Sequence, residues 1–193
     1  MLSLETALPI IGYVGVTAII FAESGLLIGF FFPGDSLLFT AGFLASQGIF
    51  DIRLLCALSF IAAVTGDSVG YWFGHKVGRK IFQREDSILF HSHNLKRAEQ
   101  FYEKHGGKTI ILARFMPVIR TFAPVLAGVG VMKYQKFFFY NIVGGAIWGI
   151  GVPLAGFFLG NAVPGVDKYL VPIVIGIVFL SVLPGVIHAL KRK

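Results

Sequence analysis

Residues 21–42, FAESGLLIGFFFPGDSLLFTAG, are almost wholly apolar, yet they contain two carboxylates and a helix breaker. Glu23 and Asp35 lie on either side of the centre of this stretch, and Asp35 directly follows the pair Pro33-Gly34. An apolar segment of this length suits a lipid bilayer, whereas a Pro-Gly pair interrupts a continuous helix. The stretch therefore predicts a helical element that is broken at Pro33-Gly34 inside a membrane.

The composition of the whole chain agrees with a membrane protein. Its 193 residues are 55% hydrophobic and only 14% charged, whereas soluble domains contain about 25% charged residues. Apolar spans of roughly 20 residues, enough to cross the hydrocarbon core, recur at about 9–31, 52–74, 134–160 and 169–190. We interpret residues 1–193 as a single all-α integral membrane domain without a cleaved signal peptide, because no Lys or Arg precedes the first apolar run.

The net charge of +7 is concentrated in two places. Residues 75–108 form a basic loop between apolar segments, and the chain ends in Lys191-Arg192-Lys193. Loops rich in Lys and Arg stay on the cytoplasmic side, so both regions, including the C-terminus, are expected there. This placement favours contact with anionic lipid head groups and argues against nucleic acid as a partner.

No cofactor or metal is expected. Cys56 is the single cysteine and cannot form an intrachain disulfide, and His91 and His93 lie in a polar loop without the spacing of a zinc site.

A second interrupted segment covers residues 109–132. Arg114, Pro117, Arg120 and Pro124 fall within eleven residues of it, which argues against an uninterrupted lipid-facing helix. Because the loop before it and the C-terminus are both expected in the cytoplasm, and two spans follow it, this segment should enter and leave on the cytoplasmic side.

Together the two interrupted segments, at about 21–47 and 109–132, predict two opposed re-entrant hairpins packed with transmembrane helices. Asp35 and Ser36 are expected to cap the helix after the first break. The tripeptide TAG at 40–42 weakly resembles LAG at 126–128. Paired broken elements in two halves of a chain are typical of inverted-repeat transporters, whose sites lie near the midplane of the membrane.

A regular series of glycines marks the span that begins near residue 52. A glycine recurs at every fourth position, at Gly66, Gly70, Gly74 and Gly78. Small residues at this spacing allow another helix to approach closely in lipid. We therefore predict a tight helix crossing along this face.

The sequence places five charges in or near the apolar regions: Glu23, Asp35, Asp67, Arg114 and Arg120. An isolated charge at a helix centre costs about 2.5–3.5 kcal/mol on insertion scales. The acids and bases are therefore expected to converge around a buried polar centre. Such a centre is either a binding site or a structural network that locks the two hairpins together, and one network can do both.

The spaced motifs resemble the bacterial DedA family, whose shared region is also called the SNARE-associated or VTT domain. The resemblance spans nearly the whole chain and rests on Glu23, PGD at 33–35, AG at 41–42, GD at 66–67, Tyr71, ARFMPVIRTFAP at 113–124 and AG at 127–128. It implies opposed re-entrant hairpins in the bacterial inner membrane, with a functional acidic pair at Glu23 and Asp35 and a functional arginine pair at Arg114 and Arg120.

The resemblance also implies transport of the lipid carrier undecaprenyl phosphate and dependence on the proton-motive force, while eukaryotic relatives of the family look like phospholipid scramblases. On this hypothesis Arg114 and Arg120 bind the lipid phosphate, Glu23 and Asp35 exchange protons, and Asp67 and Tyr71 support the site from one helix face. Pro33, Gly34, Pro117 and Pro124 break the hairpins.

Two other functions are open to such a chain. It could be a passive phospholipid scramblase, or a membrane scaffold or chaperone without transport. An enzyme acting on lipid phosphates is not expected, because no PSGH-like segment followed by SRxxxH occurs and no nucleophile stands beside a histidine.

Overall fold

A computed structural model describes residues 4–26, 33–78 and 106–162, and this part of the chain contains helices and no strand. In chain order they are α1 (Leu4–Gly25), α2 (Gly34–Ser46), α3 (Ile52–Phe73) with a π-helical extension (Gly74–Gly78), α4 (Lys108–Ala113), α5 (Pro117–Leu126) with a π-helical extension (Ala127–Val131), α6 (Tyr134–Gly149) and α7 (Gly151–Ala162). The all-α prediction is therefore confirmed for these residues.

Two helical segments are long and apolar enough to cross a membrane. They are Ile52–Val77 and Tyr134–Ala162, with 26 and 29 residues. At about 1.5 Å per residue they measure roughly 39 and 43 Å, which exceeds a hydrocarbon core of about 30 Å. Both coincide with predicted spans. The predicted span over 9–31 is helical as far as Gly25, and the one over 169–190 lies outside the described residues.

The described residues form two compact units. The first unit contains residues 4–20, 33–60 and 149–162, and the second contains residues 21–26, 61–78 and 106–148. The boundaries fall inside helices α1 and α3 and before the last residue of α6, so each unit is assembled from segments that are distant in sequence. The prediction of one membrane domain over the whole chain stays a prediction.

In the first unit, α2 packs along α7 through a reciprocal pair of glycines. A Cβ atom at Gly42 would collide with the backbone of Pro153, and one at Gly156 would collide with the carbonyl of Phe39. Each glycine therefore lies directly against the backbone of the other helix, and the contact extends to the buried side chain of Phe43. Such close approach lets dispersion contacts hold two helices together in an apolar surrounding.

The second unit contains a crossing of the same design. A Cβ atom at Gly74 would collide with the carbonyl of Val125, and one at Gly128 would collide with the carbonyl of Tyr71. In both crossings the glycine and the contacted carbonyl on each helix are three residues apart. Gly66 likewise lies against the carbonyl of Phe21. The predicted tight crossing along the glycine face of α3 is thus confirmed at two of its members.

Two local predictions about the helix breaks were wrong. Helix α2 begins at Gly34 with Pro33 at the N-cap and no side-chain cap, so neither Asp35 nor Ser36 caps it. Pro124 lies inside α5 without ending it. Beyond Pro124 the backbone widens into a π-helix, in which the N–H of Met132 donates to the carbonyl of Ala127 at 3.2 Å. Such a widened turn satisfies backbone groups near a proline without a break.

The glycine crossing of the second unit generates a stability prediction. Gly74→Ala should destabilise the protein by about 1–3 kcal/mol, because its methyl group would meet a backbone carbonyl that cannot move aside. Gly151→Ala is the matched control, since no atom lies within 4 Å of its added Cβ. Thermal unfolding in detergent, followed by circular dichroism, measures both variants. Equal midpoints would contradict the close approach.

Candidate functional site

The break between α4 and α5 places an arginine on each side. Arg114 follows α4, where its N–H donates to the carbonyl of Ile111 at 3.3 Å. Met116 is extended, as expected for a residue that precedes a proline, and α5 then begins at Pro117. Arg120 lies in the first turn of α5, where its N–H donates to the carbonyl of Met116 at 3.0 Å. The predicted break at Pro117 is confirmed.

Arg114 is the centre of a buried polar cluster. Its Nη2 atom donates to Asp67 Oδ2 and to Asn141 Oδ1, each at 2.5 Å. The side chains of Arg114 and Asp67 are only 5% and 6% exposed. A guanidinium and a carboxylate are both strongly desolvated here, so each needs the other for charge compensation. The cluster connects the residue after α4 with helices α3 and α6.

Asn141 completes this cluster from helix α6. Its amide Nδ2 donates to the carbonyl of Val64 at 3.0 Å and to Ser68 Oγ at 3.4 Å. The side chain is wholly buried, and its oxygen and nitrogen both have partners. Asn141 therefore bridges Arg114 to the backbone of α3 and fixes the direction of the guanidinium.

Arg120 forms the second ion pair. Its Nη2 atom contacts Glu23 Oε1, and the Glu23 side chain is 1% exposed. The guanidinium carbon lies 5.2 Å from the centre of the Trp148 ring, a cation–π distance. This pair joins the end of α1 to α5 and lies in the same unit as the Arg114 cluster. The expected pairing of buried arginines with buried carboxylates is thus confirmed twice.

The remaining predicted site residues have different positions. Asp35 is exposed in the first turn of α2, so it is not buried as expected. Asp67 contacts Arg114 directly instead of only supporting the site. Tyr71 is buried, donates from its hydroxyl to the carbonyl of Met132 at 2.8 Å, and stacks on Phe137.

Sequence reasoning missed Asn141 and Trp148. A signal for Asn141 was present, because it is the lone amide in the apolar run FFFYNIVGG, and polar side chains at membrane depth bind other helices or mark functional sites. Trp148 carried no such signal. Among residues 4–26, 33–78 and 106–162, no three His, Cys, Asp or Glu side chains are grouped as metal ligands.

Comparison with known proteins finds one domain family and several membrane proteins that are similar to this chain. The VTT domain matches residues 32–158. Protein DedA of Escherichia coli (strain K12) is 46% identical over 177 residues, which cover 91% of this chain and 80% of that protein. An uncharacterized membrane protein of Mycobacterium leprae is 48% identical over 171 residues, which cover 89% of this chain and 76% of that protein. The inner membrane protein YqjA of E. coli (strain K12) is 31% identical over 149 residues (77% and 68%). No solved structure matches the chain.

The energetic coupling between Asp67 and Arg114 can be tested with a double-mutant cycle. Asp67→Leu should destabilise the protein by about 3–5 kcal/mol, because it leaves a buried guanidinium without a carboxylate. Adding Arg114→Met should recover much of this loss, since an apolar pair of similar size needs no compensation. Thermal unfolding of both single variants and the double variant in detergent measures the coupling. Strictly additive losses would show that the two side chains stabilise the fold independently.

Proposed function

Because the chain belongs to the DedA family of membrane proteins and carries its VTT domain, we propose that it moves an anionic lipid across the bacterial inner membrane. The cargo is a lipid phosphate, most specifically undecaprenyl phosphate, and the movement is coupled to protons. The protein makes and breaks no covalent bond in its cargo, so it is a transporter and not an enzyme.

The observation that carries this proposal is the buried Arg120–Glu23 pair beside a helix break. Burying an ion pair contributes little net stability compared with apolar packing, and ionisable residues at membrane depth are by default functional candidates. A guanidinium binds phosphate oxygens with the same planar geometry that it uses for a carboxylate. A phosphate can therefore replace Glu23 as the partner of Arg120.

Proton coupling follows from competition between two anions for one guanidinium. Ionised Glu23 neutralises Arg120 and opposes a phosphate, whereas protonated Glu23 carries no charge and competes weakly. Uptake of a proton thus favours lipid binding, and loss of that proton favours release. Asp35, exposed at the start of α2, is the second proton-exchanging carboxylate of the proposal.

Arg114 contributes a second cation to the lipid phosphate. Its guanidinium is held by Asp67 and Asn141, so its direction is fixed before the lipid arrives. A preorganised donor loses little entropy on binding. Tyr71, one turn after Asp67, supports this arrangement through its bond to the backbone of Met132.

The two glycine crossings support an internal repeat. In the first unit, the pair Phe39 and Gly42 faces the pair Pro153 and Gly156. In the second unit, the pair Val125 and Gly128 faces the pair Tyr71 and Gly74 in the same way. The motifs TAG and LAG occupy corresponding places in these crossings. We place the two broken segments in this repeat as opposed re-entrant hairpins, with the basic loop and the C-terminus in the cytoplasm. Transporters with inverted repeats use this architecture.

The main alternative within transport is passive scrambling of phospholipids, in which the same polar centre shields head groups without a driving force. A pH gradient separates the two, because it accelerates only the proton-coupled process. A scaffold or chaperone would need the buried charges for folding alone, so a folded charge variant that lacks transport excludes it.

The role of Arg120 provides the central prediction. Arg120→Ala should abolish movement of a labelled lipid phosphate in proteoliposomes. Arg120→Lys should lower the rate roughly 10- to 100-fold, because one charge-assisted hydrogen bond contributes about 1.5–3 kcal/mol. Arg53→Ala, which removes an exposed arginine of α3, is the matched control and should transport normally. Near-normal transport by folded Arg120→Ala would contradict the proposal.

Glu23 is tested separately. Glu23→Gln mimics a permanently protonated acid, so lipid binding should persist while the response of transport to an imposed pH gradient disappears. The rate is measured with and without the gradient in the same proteoliposomes, and thermal unfolding verifies the fold. A gradient response equal to that of the unaltered protein would remove Glu23 from the coupling step.

A further inference from the structure

The second unit contains a cavity of about 620 Å³ that is separate from the two ion pairs. Residues from the end of α3, from its π-helical extension and from the start of α6 with the two residues before it line the cavity: Ser68, Tyr71, Trp72, His75, Met132, Lys133 and Tyr134. We propose that this cavity, called here the Trp72 cavity, is the site where a lipid with a phosphate head group first binds from one membrane surface. The inference rests on the transport function proposed above.

The position of the Trp72 cavity follows from the start of a spanning segment. The segment Tyr134–Ala162 begins at the cavity, and Lys133 directly before it is exposed. The rings of Tyr71 and Tyr134 are 5.2 Å apart, so this start lies beside α3. Trp and Tyr are typical of the interface between hydrocarbon and head groups. The cavity therefore lies at one surface of the bilayer.

The lining provides both the apolar surface and the positive charge that an anionic lipid requires. Four of its residues, Tyr71, Trp72, Met132 and Tyr134, offer aromatic or apolar surface to a lipid chain. Lys133 and His75 are exposed at the cavity, and Lys76 Nζ lies 4.3 Å above the Trp72 ring. None of the seven lining residues is acidic, so the charge of the cavity complements a phosphate. A lipid without a phosphate would gain nothing from Lys133 and Lys76.

A hydrogen-bonded path connects the Trp72 cavity with the buried Arg114 cluster. Ser68 lines the cavity and accepts a hydrogen bond from Asn141, which in turn accepts one from Arg114. Ser68 also donates to the carbonyl of Val64 at 2.7 Å. A head group in the cavity is thus two side chains away from the first buried guanidinium. This proximity suits a site that precedes transfer into the protein.

The two tryptophans of the chain, Trp72 and Trp148, permit a direct binding experiment. In the Trp148→Phe variant, Trp72 is the single tryptophan, and its fluorescence reports on the cavity. Phosphatidic acid with brominated acyl chains should quench it saturably in detergent, and unbrominated phosphatidic acid should reverse the quenching. Brominated diacylglycerol, which lacks the phosphate, should quench without saturation.

Lys133→Gln in the same background should weaken binding of phosphatidic acid about tenfold, which corresponds to about 1.4 kcal/mol. Lys108→Gln is the matched control, because Lys108 is exposed in the same unit, does not line the cavity and changes the net charge equally. Equal effects of the two variants would overturn the proposal, as would displacement of the lipid by the same concentration of inorganic phosphate. Thermal unfolding establishes that every variant is folded.

Transport measured with Trp148 intact separates this inference from the proposed function. Lys133→Gln should raise the lipid concentration needed for half-maximal transport while leaving the maximal rate nearly unchanged. Transport without saturable quenching of Trp72 would overturn the binding site and leave the transporter. Saturable quenching in a protein that moves no lipid would overturn the transporter and leave a lipid-binding site.

Discussion

The compensation of Arg114 is the interaction on which the second unit depends. A buried positive charge is costly unless it is paired, so the protein must supply an anion and further acceptors wherever the arginine is buried. Asp67 and Asn141 do so from two different helices. The break that exposes the end of α4 is thereby tied to α3 and α6. A broken segment at membrane depth is stable because its polar groups are satisfied by neighbours.

Glycines make this arrangement geometrically possible. A Cβ atom at Gly144 would lie 3.0 Å from Arg114 Cδ and 3.1 Å from its Nε, so the missing side chain provides the space along which the arginine extends. Gly74 and Gly128 likewise bring α3 and the segment after α5 into backbone contact. Electrostatic compensation and close packing are therefore two aspects of one design, since bulkier residues would separate the charges.

Much of this organisation was predictable from sequence because its causes are local. Three sequence features each indicate a physical constraint that operates over a few residues: the Pro-Gly pair, the arginines near Pro117 and the glycine at every fourth position of α3 and its extension. The pairing of charges was harder to predict, because three carboxylates and two arginines allow several combinations. The sequence prediction treated Glu23 and Asp35 as the functional acidic pair and Asp67 as a supporting residue, so it did not include the direct contact of Asp67 with Arg114. Asn141 was not predicted as a site residue because a single neutral amide hardly changes the mean hydropathy of a span. The continuation of α5 beyond Pro124 depends on backbone adjustment that no side-chain pattern records.

The separation of Asp67 and Arg114 along the chain has a consequence for biogenesis. The carboxylate is synthesised 47 residues before its partner, so α3 emerges from the ribosome while the compensating guanidinium does not yet exist. An aspartate near the centre of an inserting helix costs about 2.5–3.5 kcal/mol, and only the apolar remainder of α3 can offset this during insertion. Until Arg114 is made, the apolar side chains of α3, among them the exposed Leu54, Ile61 and Val69, are what keeps the aspartate in the membrane.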